Sequence, residues 1–411
     1  MKKITEAVVI GVKNQSDKRL FPFDNEPKGN TEICGRSLLT WTLRELAYSG
    51  IKRVIVVESR ETPYLGIPSL PGIEIRKVTS EEPLANESQA LECALPYIEN
   101  KRFVLARDDR IDCAPILRLM MNDQSDGTIL AGRIVSRKRA RQYGILEFVD
   151  DTGKIACAIN EKPVVPRSNV RVTAVYILTR DFIEEMRPRL FEDELSDYIA
   201  RRHASVVYAD KYPEITCKYW PDFLKVMNEM FRRRRKNVQR IHSNTSVDKS
   251  ARFFGPVIID DGAKINANTI IIGPAYIGKR SVIGVNCLVS GSSIAEDSCV
   301  ESGSLIVNSL IGPGANISYS RLLHSVIGRN CNICSTTTLN CQPGDKPIAM
   351  RLFSFRLDRG SAPLMIASGK RIIGAAFGND CCLADCTLMP GATIGPDHNI
   401  VHQLIETYVN P

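Results

Sequence analysis

IDDGAKINANTIIIGPAYIGKRSVIGVNCL, residues 259–288, opens every group of six with an isoleucine: Ile259, Ile265, Ile271, Ile277 and Ile283. A helix repeats its buried face every 3.6 residues and a strand every 2, so a period of six belongs to neither alone. It fits a triangular parallel solenoid, in which each hexad supplies one flat face and stacks its aliphatic inside. The same grammar begins at IHSNTS and VDKSAR (241–252), returns at ISYSRL (317–322) and IGRNCN (327–332), and closes with LADCTL and MPGATI (383–394). Between them QPGDKPIAMRLFSFRLDRGSAPLMIASGKR (342–371) lacks the period and is expected to project as a loop.

Upstream the grammar differs. AVVIGV (7–12) and KRVIVVES (52–59) read as buried strands, with SLLTWTLRELAYSG (37–50) between them as an amphipathic helix stopped by Gly50. QALECALPYIEN (89–100) is a second helix, leading into the strand RFVLARDD (102–109). Alternating strand and helix indicates a parallel sheet covered on both faces, with ligands beyond the carboxyl ends of the strands. Residues 11–28 and 106–112 are therefore the first places to look for a site. The expected division is an α/β domain over 1–235 and a β-helix over 240–411, joined at FRRRRK (231–236).

Composition bounds the rest. A chain of 411 residues is too long for one ordinary core. Hydrophobic residues at 44% and charged residues at 24% are those of a globular protein. The net charge of +8 suits an anionic small molecule as well as a polyanion. Thirteen cysteines show neither a zinc spacing nor a disulfide framework, which points to reduced thiols and a cytoplasmic setting. The apolar run near the N-terminus is too short for a signal-peptide core, and no segment reaches the 18 apolar residues of a membrane span.

Four stretches carry chemistry: RLFP (19–22) followed by PK (27–28), FVLARDDRID (103–112), YGILEFVDDTGKIACAINEKP (143–163) and YWPDF (219–223). Together with the hexads they resemble the sugar-phosphate nucleotidyltransferases that carry a C-terminal left-handed β-helix. The bifunctional sugar-1-phosphate nucleotidylyl/acetyltransferases are the nearest in pattern, and the resemblance spans almost the whole chain. It implies a Rossmann-like domain before the β-helix. The implied reaction is transfer of a nucleotidyl group from a nucleoside triphosphate to a sugar-1-phosphate, with Mg2+ as cofactor. By the same resemblance Arg19 and Lys28 brace the triphosphate, and Asp108 and Asp222 hold the metal. Tyr143, Gly144, Glu161 and Lys162 form the sugar-phosphate side, with Lys162 on the phosphate and Glu161 on sugar hydroxyls. A homo-oligomer is implied too, a trimer through the β-helix or a dimer of such units. Neither membrane nor nucleic acid is expected as a partner.

Bland alternatives stand beside these assignments. Asp222 is equally readable as a helix N-cap, and Glu161 with Lys162 as a surface ion pair. RIVSRKRARQ (133–142) either faces an anion or forms a solvated strand edge. The sequence also departs from the family. Its phosphate loop, GVKNQSDKRL (11–20), holds one glycine where close backbone approach to phosphates favours several. Arg107 replaces the usual glycine before Asp108, LANESQA (84–90) stands for a Gly-Thr-Ala segment, and Val172-Thr173-Ala174 for an Asn-x-Gly. In the β-helix Ser318 and Arg321 occupy the family's acetyltransfer His and Tyr places, with His324 nearby. Two other functions therefore stay open, a non-catalytic regulatory or assembly subunit and an acyltransferase acting through the β-helix.

Overall fold

The computed structural model describes residues 4–11, 17–18, 20–23, 25–84, 86–187, 189–233, 238–338, 348–354, 364–367, 372–405 and 408–409. Contacts divide the chain into two compact units. The first comprises Met1–Asn14, Glu26–Asn30 and Leu38–Thr216, and the second Gln15–Asn25, Thr31–Ser37 and Cys217–Pro411.

The first unit runs β1 (Glu6–Ile10), α1 (Leu38–Ser49), β2 (Arg53–Ser59), β3 (Glu74–Ser80), α2 (Glu87–Ala94), β4 (Arg102–Arg107), α3 (Cys113–Met121) and β5 (Ile129–Ile134). It continues with α4 (Arg137–Ala140), β6 (Gly144–Phe148), β7 (Ile155–Glu161), β8 (Val170–Thr179), α5 (Arg180–Glu185), α6 (Phe191–Arg202) and β9 (Ala204–Tyr208). One nine-stranded sheet follows the order β3-β2-β1-β4-β8-β5-β9-β7-β6. Strand β1 pairs in parallel with β2, Ala7 opposite Val54, and with β4, Ala7 opposite Val104. All five residues of β1 are buried, because helices cover both faces of a parallel centre and leave no polar side to the strand. One face packs α2 and α6 through Leu91, Leu195 and Ile199, the other α1 and α3 through Leu43, Leu46 and Ile116. Antiparallel β8 lies between β4 and β5. The carboxyl ends of β1 and β4, neighbours in register, bring Gly11 and the 108–112 turn to one edge.

The second unit is the parallel solenoid that the hexads predict, the left-handed β-helix of the family resemblance. Three sheets of short parallel strands stack coil on coil. Arg240 pairs with Ile258 and Val257 with Ala275, so one early coil takes eighteen residues, three hexads. The hexad aliphatics Ile259, Ile265, Ile271, Ile277 and Ile283 form a single core with their equivalents up to Ile405. Small polar residues fill the corners because a buried hydroxyl there can bond the next coil: Ser281 Oγ donates to the Ala295 carbonyl at 2.7 Å and Ser298 Oγ to Gly312 at 3.0 Å. The turns require a left-handed backbone, and Asn268, Asn286, Asp297, Asn330, Asp380 and Asp397 supply it at φ of 52° to 62°.

The helix α7 (Pro221–Arg233) groups with these coils, burying Phe223, Leu224, Met227 and Met230. A hairpin formed by Glu32–Ile33 and Arg36–Ser37 joins the same unit, its Cys34 N–H donating to Ser293 Oγ at 3.0 Å. Gly35 is required at its tip. Its φ is +77°, and a Cβ there would stand 2.0 Å from the Tyr276 hydroxyl. Inside the segment expected to be a loop, Ala349–Ser354 and Leu364–Ala367 pair as antiparallel strands, and Asp17–Lys18 adds to the first of them.

Candidate functional site

Asp108 stands where β4 ends, and its peptide N–H donates to the Ile10 carbonyl at the end of β1. Its side chain is 3% exposed. Asp108 Oδ2 accepts the Gly29 N–H at 2.7 Å and the Tyr64 hydroxyl at 3.2 Å, while its carbonyl accepts from Thr42 Oγ1 at 2.9 Å. That approach needs two glycines. A Cβ on Gly11 would lie 2.6 Å from Asp108 Oδ2 and 2.1 Å from the Tyr64 hydroxyl; on Gly29 the first distance would be 2.8 Å. Asp109, also buried, accepts Lys28 Nζ at 3.3 Å. Two adjacent carboxylates thus share one lysine at the mouth of the parallel strands. Burial and then the charge of Asp109 push the Asp108 carboxyl up to about 7, against Lys28 and the Gly29 N–H, which act in the opposite direction. The Tyr64 hydroxyl is raised as well, by burial first and Asp108 second.

The hairpin ending in Glu-Lys-Pro forms a second cluster. Gly144 opposes Glu161 across β6 and β7, and a Cβ on Gly144 would meet Glu161 Oε2 at 3.0 Å. Lys162 turns the chain at φ +48°, and its N–H closes the hairpin on the Tyr143 carbonyl at 3.0 Å. Lys162 Nζ lies 3.1 Å from Glu161 Oε1, both partly exposed, so the pair itself adds under ~1 kcal/mol to stability. The same closure points the ammonium and the carboxylate outward from one turn, where a ligand can meet both.

The remaining expected residues fall elsewhere. Asp222 lies in the second unit, where its Oδ2 accepts the N–H groups of Lys218 and Tyr219, each at 2.9 Å, and starts α7. Arg19 lies outside the described residues, as do 12–16 of the phosphate loop. Arg107, in the place of the family glycine, pairs with Glu87 at the start of α2. Asn86, in the altered LANESQA segment, caps α2 by accepting the Gln89 N–H at 3.1 Å. In the β-helix His324 sits in a left-handed turn, its Nδ1 2.7 Å from Asn308 Nδ2. Sequence reasoning missed Tyr64, which nothing in TPYLG marks, and Asp109, which the Asp-Asp doublet did announce.

With this geometry in hand, comparison with known proteins is direct. The nucleotidyl transferase family model matches residues 16–223, just over half of the chain. The chain belongs to the nucleotidyl transferase family. All eight expected site residues fall inside the span matched to that family. A second model, GMPPB C-terminal domain, matches residues 253–343 within the coils. This nucleotidyl transferase is similar to the low-salt glycan biosynthesis nucleotidyltransferase Agl11 of Haloferax volcanii, at 26% identity over 71% of this chain and 88% of that one. It is similar to the glucose-1-phosphate thymidylyltransferase of Streptomyces griseus at 26% identity, over 47% of this chain and 55% of that one. A bifunctional protein GlmU of Alkaliphilus oremlandii matches at 21% identity over 75% of this chain and 67% of its own length. Among the described residues no helix is long and apolar enough to cross a membrane.

Proposed function

We propose that this nucleotidyl transferase joins the nucleotidyl group of a nucleoside triphosphate to a sugar-1-phosphate. A phosphate oxygen of the sugar attacks the α-phosphorus, the bond to the bridging oxygen breaks, and pyrophosphate leaves with that electron pair. Such a reaction asks the protein for alignment and for positive charge around the phosphates, not for covalent chemistry. The observation that carries the reading is the cluster at the ends of β1 and β4, where Lys28, Asp108 and Asp109 meet over two glycines that admit no side chain.

In this reading Lys28 exchanges Asp109 for the triphosphate. Lys162 holds the sugar phosphate as a point charge, and Glu161 accepts sugar hydroxyls while Gly144 leaves the room they need. Tyr143 fixes the turn by accepting the Lys162 N–H on its carbonyl. The donor chemistry at Asp108 fits a magnesium ion: hard carboxylate oxygen, a neighbouring acid and a deficit of positive charge. Magnesium characteristically takes one or two carboxylates and completes its shell from phosphates and water, so Asp108 would hold it. When bound it would neutralise charge developing on the phosphates. A cytoplasmic setting and a homo-oligomer belong to the same proposal. The outward apolar residues Phe254, Ile270 and Ile272, on one sheet of the β-helix, support assembly through that face.

One observation favours a non-catalytic subunit instead: Asp222 already accepts two backbone N–H groups at a helix start. Pyrophosphate release measured with a panel of triphosphates and sugar-1-phosphates separates the two. Release that disappears in Asp108→Asn supports the enzyme, and no release with any pair supports the subunit.

A further inference from the structure

The basic run RIVSRKRARQ begins with a residue that the reaction above does not use. Arg133, near the end of β5, is only 9% exposed. Its Nε and Nη2 are buried without a hydrogen-bond partner, and it forms no ion pair among the described residues. Directly across the ladder stands Arg171 of β8, also buried. Arg171 pairs with Glu214 and carries the Tyr143 ring 4.6 Å from its guanidinium carbon. Arg110, 1% exposed, completes the group with Nε 3.0 Å from Asp112 Oδ1 and Nη1 3.9 Å from Glu214. Arg139 adds a fourth guanidinium, its Nη2 donating to the Tyr143 hydroxyl at 3.3 Å.

The charges do not balance. Asp112 and Glu214 answer Arg110 and Arg171, and each carboxylate is already engaged: Asp112 Oδ2 also accepts the Ile215 N–H at 2.9 Å. Asp210, the other acid felt by Arg133, is exposed and accepts the Ile134 N–H. A guanidinium does not shed its proton to escape burial, so an unpaired one is costly unless something anionic meets it. Burial lowers Arg133, with Arg110 adding to it, and burial pushes Arg171 down to about 10, with Arg133 and Arg110 adding to it. The group borders the hairpin at Tyr143 but lies on the other face of the sheet from Glu161. Gly144 and Glu161 pack with Ile159 and Val172 on the α2/α6 face, whereas Arg133 follows Ile129 and Ala131 on the α1/α3 face, and Arg171, flanked by Val170 and Val172 of the α2/α6 face, stands beside it.

We propose that Arg133, with Arg171 and Arg110 behind it and Arg139 at the rim, binds a phosphate group of a small-molecule ligand at a site across the sheet from Glu161. Phosphate suits it because guanidinium forks match tetrahedral oxyanions in paired N–H contacts, and a dianion supplies the charge that Asp112 and Glu214 leave unmet.

The test uses the full chain and inorganic phosphate as probe, read by calorimetry and by thermal unfolding. The background is Lys28→Ala with Lys162→Ala, which removes the phosphate contacts proposed for the reaction. In that background phosphate is expected to bind and to raise the unfolding temperature. Arg133→Met is expected to weaken phosphate binding by about tenfold or more, the scale of one charge-assisted contact. It should also make the phosphate-free protein at least as stable, since a buried unpaired charge becomes an apolar side chain of similar length. Arg133→Lys should retain part of the binding. No binding in the Lys28/Lys162 background, or equal binding by Arg133→Met, overturns the proposal. Because these outcomes are read without turnover, they stand apart from the fate of the nucleotidyl transfer reading.

Discussion

At the residue scale the site depends on close approach that only glycine permits. Gly29→Ala is expected to force its Cβ against Asp108 Oδ2 and the Tyr64 ring at distances under 3.0 Å. Overpacking of this kind costs about 1–3 kcal/mol, which urea unfolding will register; unchanged stability would mean the loop yields freely. Lys162→Ala makes a different prediction. Among the described residues its ammonium pairs only with Glu161, so stability should hardly change. The KM for sugar-1-phosphate should rise by roughly tenfold or more, as for a lost charged contact, while triphosphate affinity is retained. An equal loss for both substrates would remove Lys162 from the sugar side. The strand end at Asp108 and the closing turn at Glu-Lys-Pro are legible in the sequence because each is settled within one short stretch. Tyr64 was not: its contact with Asp108 spans 44 positions, and only the packing of the strand ends brings the two together.

At the element scale the hairpin around Gly35 and the coils offer separate tests. Glu32, on the first strand of that hairpin, is pushed up to about 7 by burial, then by Glu296 and Asp297, against a backbone hydrogen bond and Lys279. The unfolded chain releases this proton near 4.5, the folded protein near 7. Between those values only the folded state holds the proton, so its contribution to stability is full below about 4.5 and is lost as pH rises towards 7. Glu32→Gln should therefore lose less stability than the parent between pH 5 and pH 8, and be the more stable of the two at pH 8. Parallel pH profiles would contradict this. In the coils Ile306 is fully buried in the stacked core, and Ile306→Ala should cost about 2–5 kcal/mol in unfolding free energy, with a smaller loss signalling collapse of the neighbouring coils. The coils were readable in advance because the six-residue period repeats the same local decision many times. The antiparallel strands at 349–354 and 364–367 were not, since AMRLFS and LMIA look like any short apolar run and acquire meaning only from each other.

At the scale of the whole molecule, the sequence distinguishes two kinds of construction, an alternating α/β sheet and a stack of coils, and both are present. It does not show how the chain is shared between them. Residues 31–37 sit between Lys28 and α1 in sequence yet pack with the coils, and α7 does the same, because long-range contacts decide membership and no local pattern encodes them. The arginine group is hidden for the same reason: Arg110, Arg133 and Arg171 come from three separate segments, and only strand register gathers them. The family assigns nucleotidyl transfer, and the proposal puts the sugar-phosphate side at the Glu-Lys-Pro hairpin and the metal-binding acid at the end of β4. The most direct measurement is pyrophosphate release with magnesium, nucleoside triphosphates and a panel of sugar-1-phosphates, run beside Asp108→Asn. Release by the parent with at least one pair, reduced by a factor of about a hundred or more in Asp108→Asn, is the expected result. No release with any pair, or equal release by the variant, would contradict the assignment.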